Sequence, residues 1–292
     1  MGALDGRTAI ITGAGRGIGR EHALLFAAEG ANVVVNDLGG AVDGSGDDRS
    51  AAQQVVDEIN GAGGRAVANT DDVCDWDGGK RLIDTAVDTF GDLHILVNNA
   101  GILRDRVLVN MSEQDWDSVV HVHLKGHFVP TRHAAAYWRE QTKAGREVKA
   151  SVVNTSSTSG LLGNPGQSNY GAAKAGIAAF TTIAADELVR YGVRVNAIAP
   201  AARTRMTEQT PGLSEIVQAP ADASVFDSWD PANVSPLVAY LSTEDCPATG
   251  RVYFIQGGQI RLFRPWTMTD TLEKADRWTV AELQAQMHPL VG

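Results

Sequence analysis

Tyr170-Gly171-Ala172-Ala173-Lys174 sets a phenol and an ammonium four residues apart, and on a helix that spacing puts both on one face. A tyrosine hydroxyl with its ordinary pKa near ~10 is a poor base at neutral pH, but a fixed cation beside it stabilises the phenolate. Such a pair can take a proton from an alcohol or return one to a forming alkoxide. Ser157 closes the run Asn154-Thr155-Ser156-Ser157, thirteen residues ahead of Tyr170 across a glycine-bearing connection. Its hydroxyl can fold back to orient the same reacting oxygen. Tyr-x-x-x-Lys alone is a weak signal, because helix surfaces pair these types by chance; the serine and the segments below raise its specificity.

Proton transfer of this kind needs a hydride acceptor, and the N-terminal segment supplies a place for one. Thr12-Gly13-Ala14-Gly15-Arg16-Gly17-Ile18-Gly19 follows an apolar run and opens a helical pattern. Glycines at a strand-to-helix turn permit a tight bend and let backbone N–H groups approach a pyrophosphate at the positive end of the helix. The next apolar run ends in Val35-Asn36-Asp37, with Asp37 24 residues beyond Gly13. A carboxylate there accepts the adenosine ribose hydroxyls and repels the extra phosphate of NADP, so NAD is the expected cofactor. Arg16 pulls the other way, since an arginine in the glycine turn can pair with that phosphate. Asp37 holds the diagnostic position and outweighs it.

The elements that must position these groups follow from the alternation of short Val/Ile-rich runs with longer segments of helical period, the pattern of βαβ units. Strands are expected near 7–12, 32–36, 65–69, 93–98, 148–155, 193–198 and 251–255. Helices are expected near 17–29, 49–60, 78–90, 112–139, 170–190 and 231–241, with Ser112 and Asp115 capping the fourth. The fold class is therefore α/β: a Rossmann-like, doubly wound, seven-stranded parallel sheet with helices on both faces. One catalytic domain is expected over 1–260. An irregular crossing near 204–230 reads as a substrate lid, within which Met206, Leu213, Ile216, Val217, Val225, Phe226 and Trp229 can cover an apolar substrate. A C-terminal extension over 261–292 carries a second capping box, Thr279 to Glu282, and its Trp266 and Trp278 are expected to pack on the domain or a neighbouring subunit.

Composition narrows the partners. With 43% hydrophobic and 21% charged residues the chain has ample core, and a formal charge of −10 argues against nucleic acid and anionic membranes. The two cysteines, Cys74 and Cys246, are too few for a disulfide framework or a zinc site. A cytoplasmic protein without leader, membrane span or metal centre is expected, its partner a small molecule. His121, His123 and His127 share one helix but lack the acidic companion of a metalloprotease motif.

Together with Asn98-Asn99-Ala100-Gly101 at the end of the fourth strand, these segments resemble the short-chain dehydrogenase/reductase family over residues 5–258. The resemblance implies an NAD-dependent oxidoreductase, homodimeric or homotetrameric, with Ser157, Tyr170 and Lys174 as the catalytic set. It implies a dinucleotide lined by Gly13, Arg16, Gly17, Ile18, Gly19, Asp37, Asp72, Val73, Asn98, Ala100, Gly101, Tyr170, Lys174, Pro200 and Thr204. In that family the helix after the fourth strand carries an Asn that distorts it and props a relay water; here the position is His123, counted with the catalytic residues in its place. Pro200-Ala201-Ala202 likewise stands where the family has Pro-Gly. Asn36-Asp37-Leu38-Gly39-Gly40, Gly101-Ile102-Leu103-Arg104-Asp105-Arg106, His123-Leu124-Lys125-Gly126 and Arg205-Met206-Thr207 are similar to the (3R)-hydroxyacyl-CoA dehydrogenase part of peroxisomal multifunctional enzymes and their bacterial relatives. The implied reaction interconverts a secondary alcohol and a ketone on an acyl-CoA, with a fatty acyl or steroid side chain. Two alternatives stand beside it: a hydroxysteroid or small-alcohol dehydrogenase that uses no CoA, and an NAD-binding sensor with vestigial catalysis. Arg104 and Arg106 read either as contacts for a CoA phosphate or as a solvated loop.

Overall fold

Ile10, Ile11, Val33, Val34 and Val35 have no exposed surface, which is the state of strands covered by helices on both faces. The computed structural model describes residues 2–46, 48, 50–208, 214–222 and 224–290. Seven strands run parallel: β1 (Thr8–Thr12), β2 (Asn32–Asn36), β3 (Arg65–Asn69), β4 (Ile95–Asn98), β5 (Ala150–Thr155), β6 (Val193–Pro200) and β7 (Val252–Gln256). An eighth, β8 (Gln259–Phe263), extends the sheet beyond β7, so the order is β3-β2-β1-β4-β5-β6-β7-β8. Two residues, Gly257 and Gly258, join β7 to β8, and so short a link permits only an antiparallel return. The expected seven strands are thus eight. The additional one, Gln259-Ile260-Arg261-Leu262-Phe263, alternates polar and apolar residues for only four positions, all exposed in the fold.

The strand order reverses between β1 and β4, and at such a switch the chain leaves toward opposite faces and opens a crevice at the C-terminal strand ends. Register aligns those ends: Thr12 stands opposite Asn36, Asn36 opposite Asn69, and Asn98 opposite Asn154. On one face, Ile11, Val33 and Val35 pack with Phe26 of α1 (Gly17–Ala28), Val55 of α2 (Ser50–Gly61) and, further on, Leu241. On the other, Ile10, Val34 and Val152 pack with Leu82 of α3 (Trp76–Phe90), and with Trp138 and Leu188 further along the chain. The period-2 alternation of Ile10/Ile11 and Val33/Val34 therefore feeds two cores.

The helix expected over 112–139 is interrupted. It comprises α4 (Glu113–Val120), a π-helical turn at His121–Lys125, and α5 (Gly126–Lys143). Ser112 and Asp115 form the expected capping box. Beyond β5 come α6 (Thr158–Leu161), α7 (Ser168–Leu188), α8 (Arg205–Glu208), α9 (Ser235–Ser242) and α10 (Val280–Gln286). The chain divides into two compact units, Met1–Leu262 and Phe263–Gly292. Within the second, Thr279 and Glu282 cap α10 reciprocally, Lys274 lies over the Trp278 ring at 5.3 Å, and Trp266 is 97% exposed. Among the described residues no helix is long and apolar enough to cross a membrane.

Candidate active site

The glycine turn is shaped by close backbone approach. Gly13 has φ 63°, and a Cβ there would stand 2.8 Å from Ala100 Cα; a Cβ on Gly19 would fall inside contact distance of Gly13 O. Asn99, at the end of β4, binds the turn from the side: its Nδ2 donates to Thr12 O at 3.1 Å and Gly13 O at 3.2 Å. Thr12 answers by accepting from the backbone N–H of Asn99 and Ala100 at 3.0 and 3.1 Å. Arg16 is the N-cap of α1 and its side chain caps none of the first-turn N–H groups. The first turn, Gly17-Ile18-Gly19, therefore keeps N–H donors for an anion, with no carboxylate to oppose it.

Asp37 stands just past β2, where its Oδ2 accepts from Gly15 N at 2.8 Å and its Oδ1 from Gly39 N at 2.7 Å. Each oxygen keeps a further lone pair for a ribose hydroxyl. The Arg16 guanidinium pairs with Asp48. Asp72 is exposed and accepts from Cys74 N at 2.8 Å, while Val73 beside it is buried. Thr204 lies across from the turn, its Cγ2 being the nearest atom, at 3.8 Å, to a Cβ placed on Gly17. Pro200 ends β6 opposite Ile255. Asn98 is fully buried, donates to Thr131 Oγ1 and Asn154 Oδ1 at 2.9 Å each, and has an Oδ1 with no partner among the described residues.

Ser157 caps α6, accepting from Ser159 N at 3.2 Å. It also faces Tyr170, whose phenol it lowers in pKa, but burial outweighs that effect and Asp105 adds to it, leaving the phenol pushed up to about 12. Lys174, one turn along α7, is 2% exposed, donates to Thr155 O at 2.6 Å and lies over the Tyr170 ring at 5.4 Å from its centroid. Burial brings its own pKa down to about 7. The acidified phenol expected from the sequence is therefore not a property of the protein alone: the ammonium sits over the ring face, and desolvation favours the neutral forms of both groups.

His123 occupies the π-helical turn. Its ring meets Tyr170 edge-on at 5.1 Å, and its Nε2 is 2.8 Å from Ile102 O and 3.2 Å from Ile102 N. Donation to the nearer carbonyl leaves Nδ1 as a bare acceptor, buried and without a partner among the described residues. Burial and the neighbouring Lys174 hold His123 well below the usual histidine range, so the ring is neutral. Gly101 makes room for it, because a Cβ there would collide with His123 Cε1. His127 is also buried and neutral, whereas His121 is exposed; the three histidines do not converge.

The stretch that carries the glycine turn, the strand-order switch and Ser157, Tyr170 and Lys174 lies within the span of a known family model. The model described as short chain dehydrogenase covers residues 7–212. The chain belongs to the short chain dehydrogenase family. It is accordingly an oxidoreductase of the NAD(P)-using type. This short chain dehydrogenase is 44% identical to hydroxyacyl-CoA dehydrogenase ChsB1 of Mycobacterium tuberculosis, over 97% of this chain and 88% of the relative. It is 49% identical to peroxisomal multifunctional enzyme type 2 of Drosophila melanogaster over 84% of this chain, which spans only 38% of that longer protein. A solved short chain dehydrogenase from Mycobacterium avium superposes with a TM-score of 0.85 at 51% identity, covering 99% of this chain and 94% of the other.

Several residues that build the site escaped the sequence reading. Asn99 braces the glycine turn; Thr155 O fixes Lys174; Asn169 accepts from Tyr170 N at 2.7 Å and donates to Arg104 O and Asp115 O, both at 3.0 Å. Asn99 was visible only as part of Asn98-Asn99-Ala100-Gly101, and the others act through contacts that no local pattern encodes. Arg104 donates to Asp43 O and lies 4.0 Å from Asp115, and Arg106 donates to Asp105 O.

The described part of the crossing near 204–230 is tied back to the domain at Arg203. Arg203 pairs with Asp227, donates to Val217 O at 3.1 Å, and its N–H donates to Trp229 O at 2.6 Å. Val217 is buried, Met206 and Trp229 are partly buried, and Ile216, Val225 and Phe226 are exposed; Leu213 lies outside the described residues. Arg203→Ala is expected to raise KM about tenfold, the loss of a charge-assisted hydrogen bond, with kcat less affected. Steady-state kinetics check this: an unchanged KM removes this segment from substrate binding.

Proposed function

We propose that this short chain dehydrogenase uses NAD to interconvert a secondary alcohol and a ketone on a 3-hydroxyacyl-CoA carrying a fatty acyl or steroid side chain. The observation that carries the reading is the meeting of Ser157, Tyr170 and Lys174 beside a glycine turn whose bare helix end suits a pyrophosphate. The bound dinucleotide supplies the hydride acceptor and, when oxidised, a positive ring. The residues of this chain do the rest. Ser157 hydrogen-bonds the reacting oxygen. Tyr170, protonated at neutral pH, hands its phenolic proton to the oxygen in reduction; in oxidation it takes the alcohol proton as the phenolate, its own proton having first left to solvent. Lys174, poised near neutrality by burial, holds the phenol ring and exchanges its own proton readily. His123 offers the bare Nδ1 as an acceptor behind them.

Gly13, Arg16, Gly17, Ile18, Gly19, Asp72, Val73, Asn98, Ala100, Gly101, Pro200 and Thr204 would line the dinucleotide, and Asp37 would hold the adenosine ribose. NAD is the preferred form in this reading because Asp37 meets the ribose hydroxyls while Asp48 withholds Arg16 from a 2′-phosphate. Calorimetric titration is expected to give NAD at least about tenfold tighter binding than NADP, and Asp37→Ala should narrow the gap. Equal affinities in the parent would contradict it. The thioester substrate draws on the relatives' named activity. A panel of (3R)-hydroxyacyl-CoA thioesters against hydroxysteroids and simple alcohols, followed by NADH formation, tests it: turnover confined to the steroids or small alcohols would overturn the CoA assignment. The same reading carries a homodimer or homotetramer, supported by the exposed apolar Trp116, Phe128 and Ile183 on α4, α5 and α7. A cytoplasmic setting is supported by two free cysteines.

A further inference from the structure

The segment after β4 is strapped onto the start of α7, immediately ahead of Tyr170. Arg106 N donates to Gly166 O at 2.9 Å, Arg106 bridges Gln167, and Asn169 Nδ2 donates to Arg104 O. Between these ties lies Asp105. Its Oδ2 accepts from Gln167 Nε2 at 2.7 Å, and Gln167, the N-cap of α7, is itself held by Asn164 Nδ2 at 2.9 Å. The other oxygen, Oδ1, is buried and has no hydrogen-bond partner among the described residues. A side chain at an N-cap ordinarily satisfies a helix N–H; here the Gln167 amide grips a carboxylate instead.

We propose that Asp105 is a positioning residue of this site: gripped by Gln167, its carboxylate keeps the loop after β4 on the N-terminus of α7 and sets a negative charge within electrostatic reach of the Tyr170 phenol. The inference rests on the assignment of Tyr170 as the proton-transfer group. Groups facing the phenol are Lys174 from α7, the neutral His123 from the π-helical turn and Ser157 from the N-cap of α6, while Asp105 acts on it through space. Those facing Asp105 are Gln167 and Arg106. Asp105 is the carboxylate that acts on the phenol among the described residues, and it disfavours the phenolate; burial raises the Asp105 carboxyl itself above the usual carboxylate range, while Gln167 and Arg106 hold it down.

The sign follows. In alcohol oxidation, kcat/KM rises with pH as the phenol becomes available as a base. Removing the negative charge makes the phenol easier to ionise, so Asp105→Asn should move the rising limb to lower pH by about one unit. Gln167→Leu, which releases the grip that sets the charge, should move that limb in the same direction by a smaller amount. A second measurement needs neither dinucleotide nor alcohol: the alkaline titration of tyrosinate absorbance, with Tyr170→Phe subtracted in each background. It should place Tyr170 ionisation at lower pH in Asp105→Asn than in the parent. Coincident limbs and coincident tyrosinate curves in parent and Asp105→Asn would overturn the proposal, as would a Gln167→Leu limb that stays with the parent's or moves to higher pH. Because the absorbance titration reads the phenol directly, it still decides the matter if the thioester substrate proves wrong.

Discussion

Replacing Tyr170 by phenylalanine is expected to lower kcat by about 10²–10⁴-fold, the contribution of a positioned acid–base group, and to leave NAD affinity nearly unchanged. The ring itself remains: it still packs edge-on against His123 and under Lys174, so the local structure survives and only the hydroxyl is lost. Stopped-assay kinetics with the preferred alcohol and calorimetric titration of NAD separate the two effects. Retained turnover would remove the phenol from the chemistry. Retained binding with collapsed turnover would also dispose of the sensor alternative, since a protein that only bound the dinucleotide would have no turnover to lose.

Gly19→Ala should have the second largest effect. Its Cβ would fall within contact distance of Gly13 O and 2.6 Å from Asn99 Nδ2, and the first of these is backbone that cannot rotate aside. Either α1 backs away from the β1 turn or the turn opens, and the strain costs about 1–3 kcal/mol. A chain of this length then loses several degrees in Tm, roughly 2–4 °C per kcal/mol. Because the same turn is the proposed pyrophosphate cradle, NAD affinity should fall about tenfold or more. Scanning calorimetry and titration read the two losses together. A variant with parental Tm and parental affinity would show that the close approach of Gly19 to Gly13 does not shape the cradle.

Much of this organisation was legible in the chain. Ile10-Ile11 and Val33-Val34-Val35 announce strands buried on both faces, and the Ser112 and Thr279 boxes mark helix starts where α4 and α10 begin. Asp37 and the glycine turn are local features whose spacing carries their chemistry. The rest depends on distant partners. The π-helical turn leaves no trace in the hydropathy pattern, which reads as one continuous helix from 112 to 139; only the family resemblance marks a distortion at His123, whose ring reaches across to Ile102. β8 carries only a brief polar–apolar alternation, Gln259-Ile260-Arg261-Leu262, which with the Gly257-Gly258 pair hints at a return but is short and exposed. The departure of the phenol from its expected acidity has the same origin. Spacing reveals that Lys174 shares a face with Tyr170, but the burial that pushes both groups toward neutrality arises from tertiary packing.

The most direct measurement of the central assignment is a crystal structure of the protein with NAD and a slowly reacting alcohol. The account requires the Tyr170 hydroxyl and the Ser157 hydroxyl to hydrogen-bond the same alcohol oxygen, with the carbinol carbon against the nicotinamide. A Tyr170 hydroxyl turned away from that oxygen, or a nicotinamide bound remote from Ser157, would contradict it.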